Sequence, residues 1–236
     1  MALEKMRRRW EAWLQPLLTT FYKMSPNTVT WLALPFGVVG GLLAMYAPDD
    51  STGGGWLLSA ALMIGLAMII DGLDGSLARA KGEVTRWGDY LDHTIDRILD
   101  GTWVVCISAS VFVGDTTLGF AAAFLTLLGS YMGTQAQAVA GSRNYRGFSR
   151  ADRTVLTLLS LVVMGVMVLA GWSIDTTYPG MFDHIEVNPL SLIVFISGIG
   201  GLWTFTVRFV QAKGEIQALD EADPLPQPGI ENESDS

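Results

Sequence analysis

Apolar residues in this chain gather into long blocks, which the core of an ordinary soluble domain does not need. Six blocks, near 29–47, 55–73, 95–114, 117–140, 154–173 and 190–210, can each cross a hydrocarbon layer, which takes roughly 20 residues of helix. The prediction is an all-α fold: a polytopic bundle of six transmembrane helices with short loops and no separate soluble domain. Ahead of it, Met6, Trp10, Trp13, Leu14 and Leu17 recur at helical spacing, interleaved with Arg7, Arg8 and Arg9. That pattern predicts an amphipathic helix over 1–24, lying in the membrane interface with its cations toward lipid headgroups. Ser25-Pro26-Asn27 breaks it and opens the first span. There Gly37, Gly40, Gly41 and Ala44 form small-residue faces that let helices approach closely. The bundle then occupies 25–213, and 214–236 reads as an acidic, disordered tail.

Charge placement gives the bundle an orientation. All 15 Lys and Arg residues fall on one side of the six-span arrangement, while the opposite loops (48–54, 114–116 and 174–189) carry only acids. By the positive-inside rule both termini are cytoplasmic, in a multi-pass protein of the cell membrane. Only 16% of residues are charged, against about a quarter in a soluble domain. The net charge of −8 resides mostly in the tail, which holds Glu215, Asp220, Glu221, Asp223, Glu231, Glu233 and Asp235 without a base. Acidic outer loops and the excess of Arg over Lys also fit a salt-adapted host, and both readings stay open. The single Cys106 excludes an intramolecular disulfide and reads as packing, and no cleavable signal peptide is expected.

One stretch departs from plain membrane spans. Asp71, Asp74, Gly75, Ala78 and Arg79 are followed by Gly88, Asp89, Asp92 and Asp96. A carboxylate in or near hydrocarbon is costly, so an intramembrane acid points to function. On a helix Asp71, Asp74 and Ala78 share a face, as do Asp92 and Asp96. Two facing helices then direct four carboxylates toward one point, and such anions repel unless something cationic sits among them. A hard divalent ion carrying a diphosphate suits that donor set. Gly75 and Ala78 leave the face without bulk, so a headgroup can approach the backbone.

These positions resemble the CDP-alcohol phosphotransferase family, whose motif runs Asp, two residues, Asp-Gly, two residues, Ala-Arg, eight residues, Gly, three residues, Asp, three residues, Asp. Asp71, Asp74, Gly75, Ala78, Arg79, Gly88, Asp92 and Asp96 meet every position. The resemblance covers most of the chain and implies a six-helix bundle behind an interfacial helix. It implies that Asp71, Asp74, Asp92 and Asp96 hold a metal pair, Mg²⁺ or Mn²⁺, and that Asp96 also takes the proton of the acceptor hydroxyl. Asn27, Thr30, Gly75, Arg79 and Thr85 match positions that hold the cytidine diphosphate portion of a CDP-lipid. The implied reaction moves a phosphatidyl-type group, of bacterial or archaeal lipid, to a small alcohol with release of CMP, in phospholipid biosynthesis. A homodimer is also implied, with membrane lipid and no nucleic acid among the partners.

The acceptor follows from a basic loop. Arg143, Arg146, Arg150 and Arg153 open the fifth span, and Arg208 closes the sixth. Arg150, Arg153 and Arg208 resemble positions at which relatives grip a phosphorylated polyol, and guanidinium forks suit phosphate. Inositol phosphate or glycerol phosphate is therefore the expected acceptor, with serine or another unphosphorylated alcohol as the alternative. One departure bears on inositol phosphate: users of that acceptor commonly carry a base after a Ser-Tyr pair in span four. Here Ser130-Tyr131-Met132 is followed by Gly133-Thr134-Gln135. A cation transporter is the rival of another class, yet such proteins show paired repeats and broken mid-membrane helices, which this sequence lacks. An inactive scaffold conflicts with the complete set of motif acids. Asp100, one turn beyond Asp96, reads as support through Arg97 or as an extension of the cleft. His93 is expected to point off the Asp92–Asp96 face, and His184 lies on the outer side.

Overall fold

A computed structural model of the chain describes residues 16–141 and 146–224. Six helices of 20 residues or more make up the fold: α1 (Pro26–Met45), α2 (Gly53–Lys81), α3 (Arg86–Ser108), α4 (Thr116–Ala140), α5 (Arg150–Ala170) and α6 (Pro189–Ala222). The loop before α6 holds a 3₁₀ turn, Gly180–Phe182, and an isolated bridge between Thr177 and Glu186. Among the described residues there is no longer strand. Five helices are long and apolar enough to cross a membrane, which makes this a multi-pass membrane protein. The exception is α3, whose first half carries Asp89, Asp92, Asp96, Arg97 and Asp100.

Side-chain caps set most helix starts. Ser25 accepts from the Thr28 N–H with Pro26 in the first turn, and Thr85 accepts from the Gly88 N–H. Asp115 accepts from the Leu118 N–H, which holds its carboxyl below the ordinary value. Ser149 with Asp152, and Asn188 with Ser191, form reciprocal capping boxes. Thr85 thus starts α3 well before its apolar block begins. The block's end also shifts, from 114 to Ser108. There the Ser108 and Ser110 hydroxyls donate to the carbonyls of Asp115 and Ile107, and a turn follows to Gly114 at φ +73°.

The helices pack as pairs: α1 on α2 and α3, α2 on α5, α4 on α3 and α6, with α5 and α3 also meeting α6. Gly37, Gly40, Gly41 and Ala44 are buried. A Cβ at Gly40 would sit 2.6 Å from Ile64 Cγ1, and one at Gly201 would sit 2.6 Å from the Leu125 carbonyl carbon. Close approach of α1 to α2 and of α6 to α4 therefore requires glycine. Leu57, Ile64, Leu99, Ile107, Leu161 and Leu190 form the deepest layer.

The ends of the chain differ from expectation or lie outside the description. The interfacial helix over 1–24 falls mostly among undescribed residues, although 16–21 is helical and Leu17 packs beneath Val29 and Leu73. The segment expected to be a disordered tail from 214 is helical in its first part, because α6 continues to Ala222. Its extension holds good helix formers, and Gln211 donates to Glu215 one turn on at 2.6 Å. Residues 225–236 and Arg143 lie outside the described residues.

Candidate active site

The charged end of the bundle brings the motif residues together from four helices. Asp71, Asp74, Gly75, Ala78 and Arg79 occupy the last turns of α2, and Gly88, Asp92 and Asp96 the first half of α3. Asn27 and Thr30 lie in the first turns of α1, and Arg150 and Arg153 in the first turn of α5. The local reason is periodicity: helical spacing puts each carboxylate set on one face. Packing of α2 and α3 on α1, and of α5 on α2, then turns those faces toward each other.

A cation does sit among the acids. Arg150 Nη1 lies 3.0 Å from Asp71 Oδ2 and 2.7 Å from Asp96 Oδ1, and Arg150 Nε lies 3.4 Å from Asp100 Oδ1. Arg97 Nη2 is 3.7 Å from Asp96 Oδ2. Asp74 is fixed differently: the Thr30 hydroxyl donates to its Oδ2 and the Gly75 N–H to its Oδ1. Thr30 therefore orients a carboxylate besides lining the cavity in front of it.

Two cavities flank the carboxylate row. The first, about 420 Å³, is lined by Asn27, Thr30, Asp74, Gly75, Ala78, Arg79, Thr85, Gly88 and Asp92. It gathers every position expected to hold a cytidine diphosphate group. Its floor is open because Gly75 and Gly88 lack side chains; a Cβ at Gly88 would sit 3.2 Å from Thr85 Oγ1 and 3.4 Å from Asn27 Oδ1. The second, about 310 Å³, is lined by Asp96, Arg97, Ser130, Arg150, Arg153, Thr204 and Arg208, with His93 and Phe148 at its edge. All three arginines expected at the acceptor line this second cavity. Arg208 donates from Nε to the Arg146 carbonyl and from Nη1 to that of Gly129, at 2.9 and 3.0 Å. Asp92 faces the first cavity and Asp96 the second, one helical turn apart.

The donor set fits a divalent cation. Asp71 Oδ1 is buried and has no hydrogen-bond partner among the described residues, and Asp96 Oδ1 meets Arg150 outside hydrogen-bond alignment. A buried carboxylate oxygen without a partner, as at Asp71, is a ready ligand for a hard ion. Asp92, His93 and Asp96 also offer ligand atoms within 4.8 Å of one another. That corrects the expectation for His93: three residues before Asp96, it shares that residue's face, and its ring lies 3.9 Å from Asp92 and 3.7 Å from Asp89. His184 is far from this end and pairs with Asp115 at 3.2 Å.

The sequence assigns no contact across helices to Arg97, and for Asp100 it anticipates the pair with Arg97 but not those with α5. Arg97 reaches across to α4, where Nη1 donates to Ser130 Oγ at 2.7 Å. Asp100 takes part in three ion pairs, with Arg97, Arg150 and Arg153. The four-residue spacing of Asp96 and Asp100 was a readable signal, but their partners on α5 were not.

Comparison with known proteins agrees with this geometry. The profile of the CDP-alcohol phosphatidyltransferase family matches residues 23–199. A phosphatidylinositol phosphate synthase of Cutibacterium acnes is 26% identical over 219 residues, covering 89% of this chain and 97% of its own. An archaetidylinositol phosphate synthase of Pyrococcus horikoshii is 34% identical over 110 residues, 46% of this chain and 51% of its own. The fold is that of the Mycobacterium tuberculosis phosphatidylinositol phosphate synthase solved with CDP-DAG bound, at TM-score 0.63 and 23% identity over 87% of this chain and 94% of that one. The same synthase has been solved with manganese and citrate, again at TM-score 0.63 and 23% identity, over 84% of this chain and 88% of that one.

Proposed function

Because the chain belongs to the CDP-alcohol phosphatidyltransferase family, and is thus a membrane transferase of substituted phosphate groups, we propose that it joins a CDP-lipid to a phosphorylated polyol, with inositol phosphate the leading acceptor and glycerol phosphate second. The observation that carries this reading is the pair of cavities on either side of one carboxylate row, the second walled by Arg97, Arg150, Arg153 and Arg208. A zwitterionic acceptor such as serine offers one carboxylate beside an ammonium that guanidiniums repel, whereas a phosphate dianion can engage several guanidinium forks. The base missing after the Ser130-Tyr131 pair has a local substitute in Arg97, which reaches Ser130 from α3.

In this reading the first cavity holds the cytidine diphosphate, with Asn27 and Thr85 toward the nucleoside and Arg79 toward the leaving phosphate. Asp71, Asp74, Asp92 and Asp96 would hold divalent cations, whose charge would offset that of the diphosphate and make its phosphorus more electrophilic. Arg150, Arg153 and Arg208 grip the acceptor's phosphate and so orient its hydroxyl toward that phosphorus. Asp96, at the seam of the two cavities, takes the hydroxyl proton as the oxygen–phosphorus bond forms. The bond from that phosphorus to the CMP oxygen breaks, CMP leaves, and the lipid phosphate becomes a phosphodiester. Both termini and the site face the cytoplasm, on the side that carries the Lys and Arg residues.

The test incubates purified protein with labelled CDP-lipid, Mg²⁺ or Mn²⁺, and a panel of inositol phosphate, glycerol phosphate, free inositol, glycerol and serine. Label is expected in a phosphorylated phosphodiester lipid, with stoichiometric CMP. Turnover confined to serine or to unphosphorylated polyols would overturn the acceptor while leaving the reaction class.

A further inference from the structure

Three guanidiniums of the second cavity converge on one carboxylate that does not line it. Asp100, on α3, is only 2% exposed. Its Oδ2 pairs with Arg153 Nη2 and lies 3.3 Å from Arg97 Nη1, and its Oδ1 lies 3.4 Å from Arg150 Nε. Arg97, Arg150 and Arg153 line the cavity, whereas Asp100 stands behind them. A carboxylate serving only to fasten α3 to α5 needs one arginine. This one meets two from α5 and one from its own helix, all three on the wall of one cavity.

We propose that Asp100 is a positioning residue of the acceptor site: a buried anion that gathers Arg97, Arg150 and Arg153 into a preformed cradle for the acceptor's phosphate. This rests on the acceptor reading above. Three cations held this close repel one another; Asp71 and Asp96 offset part of that repulsion at Arg150 and Arg97, but Asp100 meets all three guanidiniums and does so without lining the cavity. Each arginine side chain is also costly to immobilise, so anchoring the forks before binding removes an ordering cost that the acceptor must otherwise meet. The same arrangement links acceptor grip to proton transfer, because Arg150 bridges Asp100 to Asp96 and Asp71.

The test compares wild type, Asp100→Asn and Asp100→Glu in steady-state kinetics with inositol phosphate and CDP-lipid varied in turn, alongside the thermal midpoint in detergent. Asp100→Asn keeps the shape and removes the charge, so the acceptor's KM is expected to rise about tenfold or more. The CDP-lipid's KM should stay within about twofold. Asp100→Glu keeps a counter-ion for buried Arg153 and is expected to fold even where the Asn variant does not. Its longer arm displaces the forks, so its acceptor KM should fall between those of wild type and Asp100→Asn, or rise alone if only this variant folds. Acceptor KM unchanged in the folded variants, or both KM values rising together as loosened packing would cause, overturns the positioning role. If wild type turns over no phosphorylated polyol at all, the acceptor reading fails first and takes this inference with it. Turnover in wild type with a flat response at position 100 sinks the Asp100 proposal alone.

Discussion

The two ends of the bundle are closed by opposite chemistry. At the charged end, α2, α3 and α5 meet through Asp71, Asp96, Asp100, Arg97, Arg150 and Arg153, several of them deeply buried. At the other end, the Phe195 ring meets Tyr178 at a tilt and Phe182 edge-on, with centroids 4.6 and 5.0 Å apart, and Ile185 is fully buried. Asn188 there caps α6 and ties it to the Phe112 carbonyl at 2.6 Å. Among the described residues, His184 meets Asp115 at that end, and His184 is half exposed. Apolar packing closes a helix bundle without desolvating charge, whereas a buried ion network often contributes no more than apolar residues of the same volume. The charged end is therefore arranged for chemistry, and the opposite end for stability.

That contrast can be broken from either side. The largest effect is expected at the carboxylates. Asp71→Asn or Asp92→Asn should lower turnover by about a hundredfold or more, without recovery at high acceptor concentration, because each removes a proposed ion ligand. Initial rates with Mg²⁺ supplied would show it, and near-normal rates in both variants would remove the metal assignment. Asp96→Asn should stop CMP release while labelled CDP-lipid still binds to the membranes, since Asp71, Asp74 and Asp92 remain. Full activity with an amide at that position would place the proton elsewhere.

Next in size are the arginines. Replacing Arg150, Arg153 or Arg208 should raise the acceptor KM by about ten- to hundredfold and move the CDP-lipid KM far less. Lys at the same positions should recover only part of this, having no planar fork. A flat acceptor dependence would make these arginines purely topological. At the opposite end Ile185→Ala should cost about 2–5 kcal/mol of stability, seen as a lower thermal midpoint, with turnover per folded molecule unchanged. Lost turnover per folded molecule would mean that the two ends are coupled. The smallest effect belongs to His184→Ala, where an exposed pair contributes about 0–1 kcal/mol, so neither midpoint nor rate should move measurably.

Legibility in the sequence tracks how local the physics is. The Asp71–Asp74 and Asp92–Asp96 faces are readable because both ends of each spacing lie on one helix, and the start of α1 is readable from Ser25-Pro26-Asn27. The apolar length of α3 was misjudged at both ends. Its start is set by the Thr85 cap inside a charged stretch, and its end by Ser108 and Ser110 hydroxyls that bind carbonyls of the turn. The Asp92–Asp96 pair alone does not signal His93, whose three-residue spacing from Asp96 brings its ring back to that face.

The sequence by itself determined that the chain crosses a membrane several times, that its carboxylates are paired along helix faces, and that its cations cluster between apolar blocks. Those properties follow from hydropathy, helical periodicity and charge counted along the chain. Tertiary structure alone decided that Arg150, 79 residues from Asp71 in sequence, is the cation set between Asp71 and Asp96, and that Asp100 gathers three guanidiniums. It also decided that the row of acids divides two cavities. The reason is that α2, α3 and α5 are brought together by packing along the rest of the bundle, α2 and α3 on α1 and α5 on α2. Which charges then meet depends on that packing, and no spacing along a single helix encodes it.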